Sequence, residues 1–124
     1  MLSNLKYQWY VVYTAPRAEK KVNERLNAIG VQTYLPLYKT IRQWSDRKKL
    51  IEIPLISSYV FVHTSVRQHL SILKVPGVSH FVRYLGSPAV VRDHEIAKIR
   101  EFLEESAGHS VMFEYDEEVE IVRG

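Results

Sequence analysis

Five histidines, at positions 63, 69, 80, 94 and 109, are the first side chains to weigh for chemistry. Imidazole ligands of a metal recur at short helical or hairpin spacing, commonly with a carboxylate beside them. These five keep no such spacing, and no Glu accompanies them in a metalloprotease pattern. The chain has no cysteine, which excludes disulfides, thiolate metal sites and cysteine nucleophiles. It also lacks a Gly-rich phosphate loop and a Gly-x-Ser-x-Gly elbow. Asp46, Glu52 and Asp93 are scattered rather than paired for acid–base work. The expectation is a binding protein, not an enzyme, with no cofactor and no metal.

Charge is the stronger signal. Arg17, Lys21 and Arg25 fall four apart and form one row if the segment is helical, with Lys20 on the adjoining row. Like charges at that spacing cost an isolated helix a few tenths of a kcal/mol. Glu24, four after Lys20, relieves part of it. A solvated face accounts for such a row as readily as a phosphate track does. Arg47, Lys48 and Lys49 make a second basic cluster. Residues 1–49 carry ten Lys/Arg and three Asp/Glu, and residues 50–100 carry six and three. Residues 101–124 carry one and eight, so the net charge of +3 conceals +7, +3 and −7 along the chain. A basic body with an acidic end suits a polyanionic partner.

Several elements must position these groups. Trp9-Tyr10-Val11-Val12-Tyr13 is rich in β formers and apolar on both faces, the pattern of a central strand. Thr14 is a candidate cap and Pro16 a first-turn residue for a helix with Ala18, Val22, Leu26 and Ile29 inward, stopped by Gly30. A strand over 31–36 follows. Residues 38–54 then read as a hairpin with Arg47-Lys48-Lys49 at its tip. Residues 58–63 form a strand with Tyr59, Phe61 and His63 on one face and Ser58, Val60 and Val62 on the other. Ser65 and Gln68 suggest a capping box for a short helix with Val66, Leu70 and Leu73 inward, ending before Pro76-Gly77. Val78 to Tyr84 is a further strand, Gly86-Ser87-Pro88 a turn, and Asp93 the cap of a last helix with Ile96, Ile99 and Leu103 inward. That order fits an α+β ferredoxin-like sandwich: a mainly antiparallel sheet with three flanking helices. The 124 residues allow one such domain and a tail. No apolar run approaches the ~20 residues of a membrane span. The N-terminus lacks the apolar stretch of a signal peptide, so the expected location is cytoplasmic, without membrane contact.

Three stretches resemble the N-terminal domain of the NusG family of transcription elongation factors. They are Trp9-Tyr10-Val11-Val12-Tyr13 with the basic helix after it, Pro54-Leu55-Ile56-Ser57-Ser58-Tyr59-Val60-Phe61-Val62, and Gly77-Val78-Ser79-His80-Phe81-Val82-Arg83-Tyr84 leading to Ser87-Pro88. The last is similar to RfaH-like specialised paralogues. The likeness implies a polymerase-binding domain over 8–105, a linker over 106–117 and the start of a truncated KOW domain at 118–124. It further implies a monomer bound to RNA polymerase, with an apolar depression docked on the clamp helices of the largest catalytic subunit. The depression would use Tyr13, Ile56, Tyr59, Phe61, Phe81, Tyr84, Ile96 and Ile99. Arg17, Lys20, Lys21 and Arg25, with Lys48 and Lys49, would face the non-template DNA strand of the transcription bubble. Such a factor suppresses pausing or termination, in specialised members for specific long operons.

Two departures stand out. Gln68-His69-Leu70-Ser71 occupies the place of a His-Thr-Thr-Thr run that meets the second polymerase jaw, and Ile56-Ser57-Ser58-Tyr59 replaces Phe-Pro-Gly-Tyr. The alternative is a free-standing ferredoxin-like RNA-binding domain. Its central strand needs glycines beside the aromatics so that bases lie flat on the sheet, and residues 57–62 have none.

Overall fold

The structure, a computed structural model, describes residues 5–106. The expected linker beyond Ser106 and the expected KOW strand at 118–124 lie outside the described residues. Two compact units are present: 5–35 with 56–96, and 36–55 with 97–106.

The first unit is built on β1 (Gln8–Thr14), which pairs antiparallel along its whole length with β5 (Tyr59–Thr64), from Gln8↔Thr64 to Tyr13↔Tyr59. β2 (Gln32–Tyr34) flanks β5. β6 (Val78–Phe81) and β9 (Val90–Val91) pair with opposite ends of the other edge of β1. The main sheet is thus antiparallel throughout, with β1 central, as its two-sided apolar sequence requires.

Alternation assigns the faces. Tyr10, Val12, Val60, Val62 and Phe81 share one face and form the core with Val22 and Leu26 of α1 (Glu19–Ala28) and Ile72 of α2 (His69–Leu73). Each such aliphatic side chain contributes roughly 1.5–3 kcal/mol on full burial. Trp9, Val11, Tyr13, Tyr59, Phe61 and His63 occupy the opposite face, as the period of two predicts.

Helix α1 starts later than expected. Pro16 and Arg17 form a turn, with Arg17 at φ 63°, and Ala18 is an N-cap without a side-chain hydrogen bond. The C-terminus matches its signal. Gly30 (φ 87°) donates its N–H to the Asn27 carbonyl at 3.0 Å, and the Val31 N–H reaches the Leu26 carbonyl at 3.0 Å, a Schellman closure.

The short helix inverts its expected face. Val66, Leu70 and Leu73 are exposed, Leu70 by 73%, whereas His69 and Ile72 are buried. Residues Val66–Gln68 form a 3₁₀ turn, so the segment is not one continuous α-helix, and the buried side of α2 is taken by His69 and Ile72. Ser65 makes no side-chain cap; Gln68 instead meets Thr64 through its side chain at 2.6 Å. His69 lies between Phe81, stacked at 4.1 Å, and the edge of Tyr10 at 4.6 Å. Its Nε2 is buried without a hydrogen-bond partner among the described residues.

Burial lowers the pKa of His69 from the usual 6.5. The unfolded chain therefore binds this proton more tightly, and the contribution of neutral His69 is fully present above pH 6.5. It is lost as pH falls from there through the depressed folded value. Urea unfolding at pH 7.5 and at successively lower pH is expected to show that loss, and His69→Phe to reduce it. An unchanged pH profile in His69→Phe would exclude His69 as the cause.

The run from Val78 to Tyr84 is not one strand. After β6, Val82 donates its N–H to the Val11 carbonyl and accepts from Ala89, and Arg83–Tyr84 (β7) pairs with Ser87–Pro88 (β8) as a separate hairpin. Its turn is Leu85-Gly86, one position earlier than expected. Helix α3 covers 93–106, so Ser106 is helical. Glu95, not Asp93, caps it: its Oε1 accepts the Arg92 N–H at 2.9 Å.

The second unit contains the hairpin of β3 (Leu37–Gln43) and β4 (Lys48–Pro54). Its loop is Trp44–Arg47, closed by the Trp44 N–H on the Arg47 carbonyl at 2.7 Å. Lys48 and Lys49 thus begin an arm rather than forming the tip. Lys49 sits directly across from Arg42, a like-charge pair that destabilises an isolated hairpin.

Candidate partner-binding surface

The outer face of the main sheet is aromatic from end to end. Trp9 and Tyr7 meet His63 at 5.0 and 5.7 Å, and Phe61 lies beside Tyr34 at 6.2 Å. At the other end Tyr13 contacts Tyr59 edge-on at 5.5 Å and stacks on His80 at 5.2 Å with the planes 11° apart. Trp9, Val11 and Phe61 are buried, whereas Tyr13 and His80 are exposed and Tyr59 half-exposed. The Tyr13–Tyr59–His80 end is thus accessible, and at the opposite end Tyr7 is exposed beside half-exposed His63.

A β-bulge adjoins this arrangement. Tyr13 pairs with His80 but Thr14 with Val78, so Ser79 is the extra residue and turns its hydroxyl to His80 Nδ1 at 2.8 Å. His80, paired with Tyr13, joins it on the outer face, whereas Phe81, paired with Val12, does not. Phe81 faces the α1/α2 core, with 4% of its surface exposed, and is separated from Tyr13 by the sheet. The same parity was available in the sequence: adjacent residues of one strand point to opposite faces.

The other expected residues of the depression are distributed as follows. Ile56 is half-buried in the loop before β5, Tyr84 is 70% exposed on β7, and Ile96 is buried. Ile99 is half-buried and belongs to the second unit.

The loop before β5 is held by an interaction that composition does not reveal. Ser58 has φ 67°, a left-handed conformation costly for a residue with a β-carbon. The Ser58 N–H donates to Glu19 Oε2 at 2.7 Å, and its carbonyl accepts the Thr14 N–H at 2.7 Å. Glu19, buried at the start of α1, thereby anchors Ile56 and Tyr59 relative to Tyr13. Ser58→Gly is expected to stabilise the fold by about 1 kcal/mol, because glycine adopts this φ without steric cost. Thermal unfolding checks it. No gain would mean that the serine side chain offsets the strain.

The basic row is also redistributed. Arg17 lies in the turn before α1, so it does not continue the Lys21–Arg25 spacing. Lys20 and Lys21 are exposed. Arg25 is half-buried, and its Nη1 donates to the Pro76 carbonyl at 2.9 Å, which ties α1 to the turn before β6. Lys48 and Lys49 are exposed in the second unit. Among the described residues no cluster of three or more His, Cys, Asp or Glu could hold a metal ion. No described helix is long and apolar enough to cross a membrane.

Comparison with known proteins converges on one group. A family model described as "Transcription termination factor nusG" matches residues 7–100, more than half of the chain. A Rickettsia felis protein named "Transcription termination/antitermination protein NusG" is 28% identical over 132 aligned residues, covering 94% of this chain and 68% of that one. A Thermotoga maritima NusG structure, described under "Domain interaction", is similar with a TM-score of 0.50 and 31% identity. That match covers 76% of this chain but only 55% of the Thermotoga chain, so this chain spans little over half of that protein's length. The antiparallel sheet with three helices and the match over 7–100 agree, and the chain belongs to the NusG family of transcription factors, which are not enzymes.

Proposed function

We propose that this chain is a transcription elongation and antitermination factor that docks on RNA polymerase through the Tyr13–Tyr59–His80 end of its outer sheet face. Ile56, in the loop that leads into Tyr59, belongs to the same docking surface, and Tyr84 on the β7–β8 hairpin supplies a further exposed ring. The observation that carries the reading is the cluster of exposed aromatic rings held in fixed mutual geometry. Such rings are the usual anchors for a partner helix, because they bury much area at little entropic cost. The partner element is the pair of clamp helices of the largest catalytic subunit. A factor seated there disfavours clamp opening and so suppresses pausing or termination. Phe61 shares the face of Tyr59 but is buried beside Tyr34, Ile96 is buried, and Phe81 belongs to the core on the other side of the sheet.

The run Gly77–Tyr84 favours a specialised, RfaH-like member serving particular long operons. At the stretch expected to face the second jaw, the exposed groups are Leu70 and Ser71, with His69 turned inward. A contact there uses one apolar side chain and one hydroxyl rather than a row of hydroxyls.

Arg17, Lys20 and Lys21 of the first unit, and Lys48 and Lys49 with Arg42 of the hairpin, contact the displaced non-template strand. Each phosphate neutralised adds roughly −0.7 to the slope of log affinity against log salt for single-stranded DNA. Lys21→Gln is expected to make that slope shallower by about 0.7 while binding to core polymerase persists. Lys21 is the better probe than Arg25, whose loss would also release Pro76. An unchanged slope would reduce the Lys21 position to a solvated helix face.

A further inference from the structure

The β7–β8 hairpin carries a residue at odds with its position. Leu85 and Gly86 form a two-residue loop between Tyr84 and Ser87, with φ of 51° and 82°. Positive φ at both positions is the type I′ pattern, which selects Asn, Asp or Gly at the first place. Leucine is unfavourable there on two counts. Its β-carbon is crowded in the left-handed region, and its side chain is 86% exposed. Beside it, Tyr84 is 70% exposed. The tip is nonetheless braced, because Arg83 Nη2 donates to the Gly86 carbonyl at 2.7 Å. Local backbone preference and solvation would both be served better by Asn.

We infer that Leu85 is a projecting apolar anchor that, with Tyr84, inserts into an apolar pocket on RNA polymerase. This rests on the polymerase reading above and adds a contact to it. Three features support a protein pocket as the occupant. Leucine has neither a ring to stack on bases nor a donor or acceptor to read them. The Arg83 brace pre-orders the tip, so little conformational freedom remains to be lost on binding. The tip also follows directly on Tyr84, whose 70% exposed ring gives such a pocket a second apolar group.

The test separates structural from binding roles because they act in opposite directions. Leu85→Asn relieves the backbone conflict and removes the apolar side chain; Leu85→Ala removes most of the side chain but keeps a β-carbon. In the full 124-residue chain, Leu85→Asn is expected to raise the melting midpoint by about 2–5 °C. The same variant is expected to bind core RNA polymerase roughly tenfold more weakly. Leu85→Ala is expected to show the weaker binding without that gain in stability. If Leu85→Asn binds as tightly as the parent chain while Tyr59→Ala does not, the inference is overturned and the docking surface stands. Absence of any polymerase binding by the parent chain would overturn both. Concentration-dependent self-association, or binding to a single-stranded oligonucleotide, that is lost in Leu85→Asn with polymerase affinity unchanged would assign the tip to a second copy or to nucleic acid, against the inference.

Discussion

Replacing Gly77 by Ala is expected to destabilise the chain by about 2–4 kcal/mol, combining left-handed strain with overpacking. Gly77 has φ 97°, and a β-carbon there would stand 2.7 Å from Val22 Cγ2 and 3.6 Å from Ala18 Cβ. Val22 is wholly buried, so it has little room to retreat. The Gly77 carbonyl also accepts the Ala15 N–H at 2.9 Å, which joins the entry to α1 to the entry to β6. A backbone shift that relieved the clash would disturb this bond and the Arg25 contact with Pro76. Denaturant unfolding measures the effect. A loss below about 1 kcal/mol would mean that the α1–β6 junction is looser than its geometry indicates.

The second large effect concerns binding. Tyr59→Ala is expected to weaken association with core RNA polymerase by about 2 kcal/mol or more, the range of a central aromatic anchor. Tyr59 is half-exposed and touches Tyr13 edge-on, so truncation removes one ring and frees its neighbour. Tyr59→Phe, which keeps the ring, is expected to retain most of the affinity. The fold must be followed in parallel by far-UV circular dichroism. Intact structure with undiminished affinity would remove Tyr59 from the interface.

The parts legible in the sequence were those where one strong pattern acts alone. β1 and β5 carry unbroken apolar alternation, and their faces follow from the period of two. Gly30 signalled the end of α1 because a C-terminal left-handed residue is nearly a glycine requirement. Legibility failed where local geometry interrupts a period. At α2 the stripe of Val66, Leu70 and Leu73 stands on the solvent side, because His69 and Ile72 take the buried side of the helix. The break at Val82 divided what reads as one strand, and grouping aromatics by type rather than by parity placed Phe81 with Tyr13, although it faces the core. Arg17 left the charge row because a left-handed turn precedes the helix. The Glu19–Ser58 bond joins residues 39 apart in sequence, and no local pattern announces it.

The anchors Tyr59 and Leu85 act at a single interface with polymerase, and direct titration of core RNA polymerase with this chain tests it most plainly. Saturable binding is expected, displaced competitively by an isolated clamp-helix coiled-coil fragment and weakened by Tyr59→Ala. Absence of binding, or binding indifferent to the clamp-helix fragment, would contradict it.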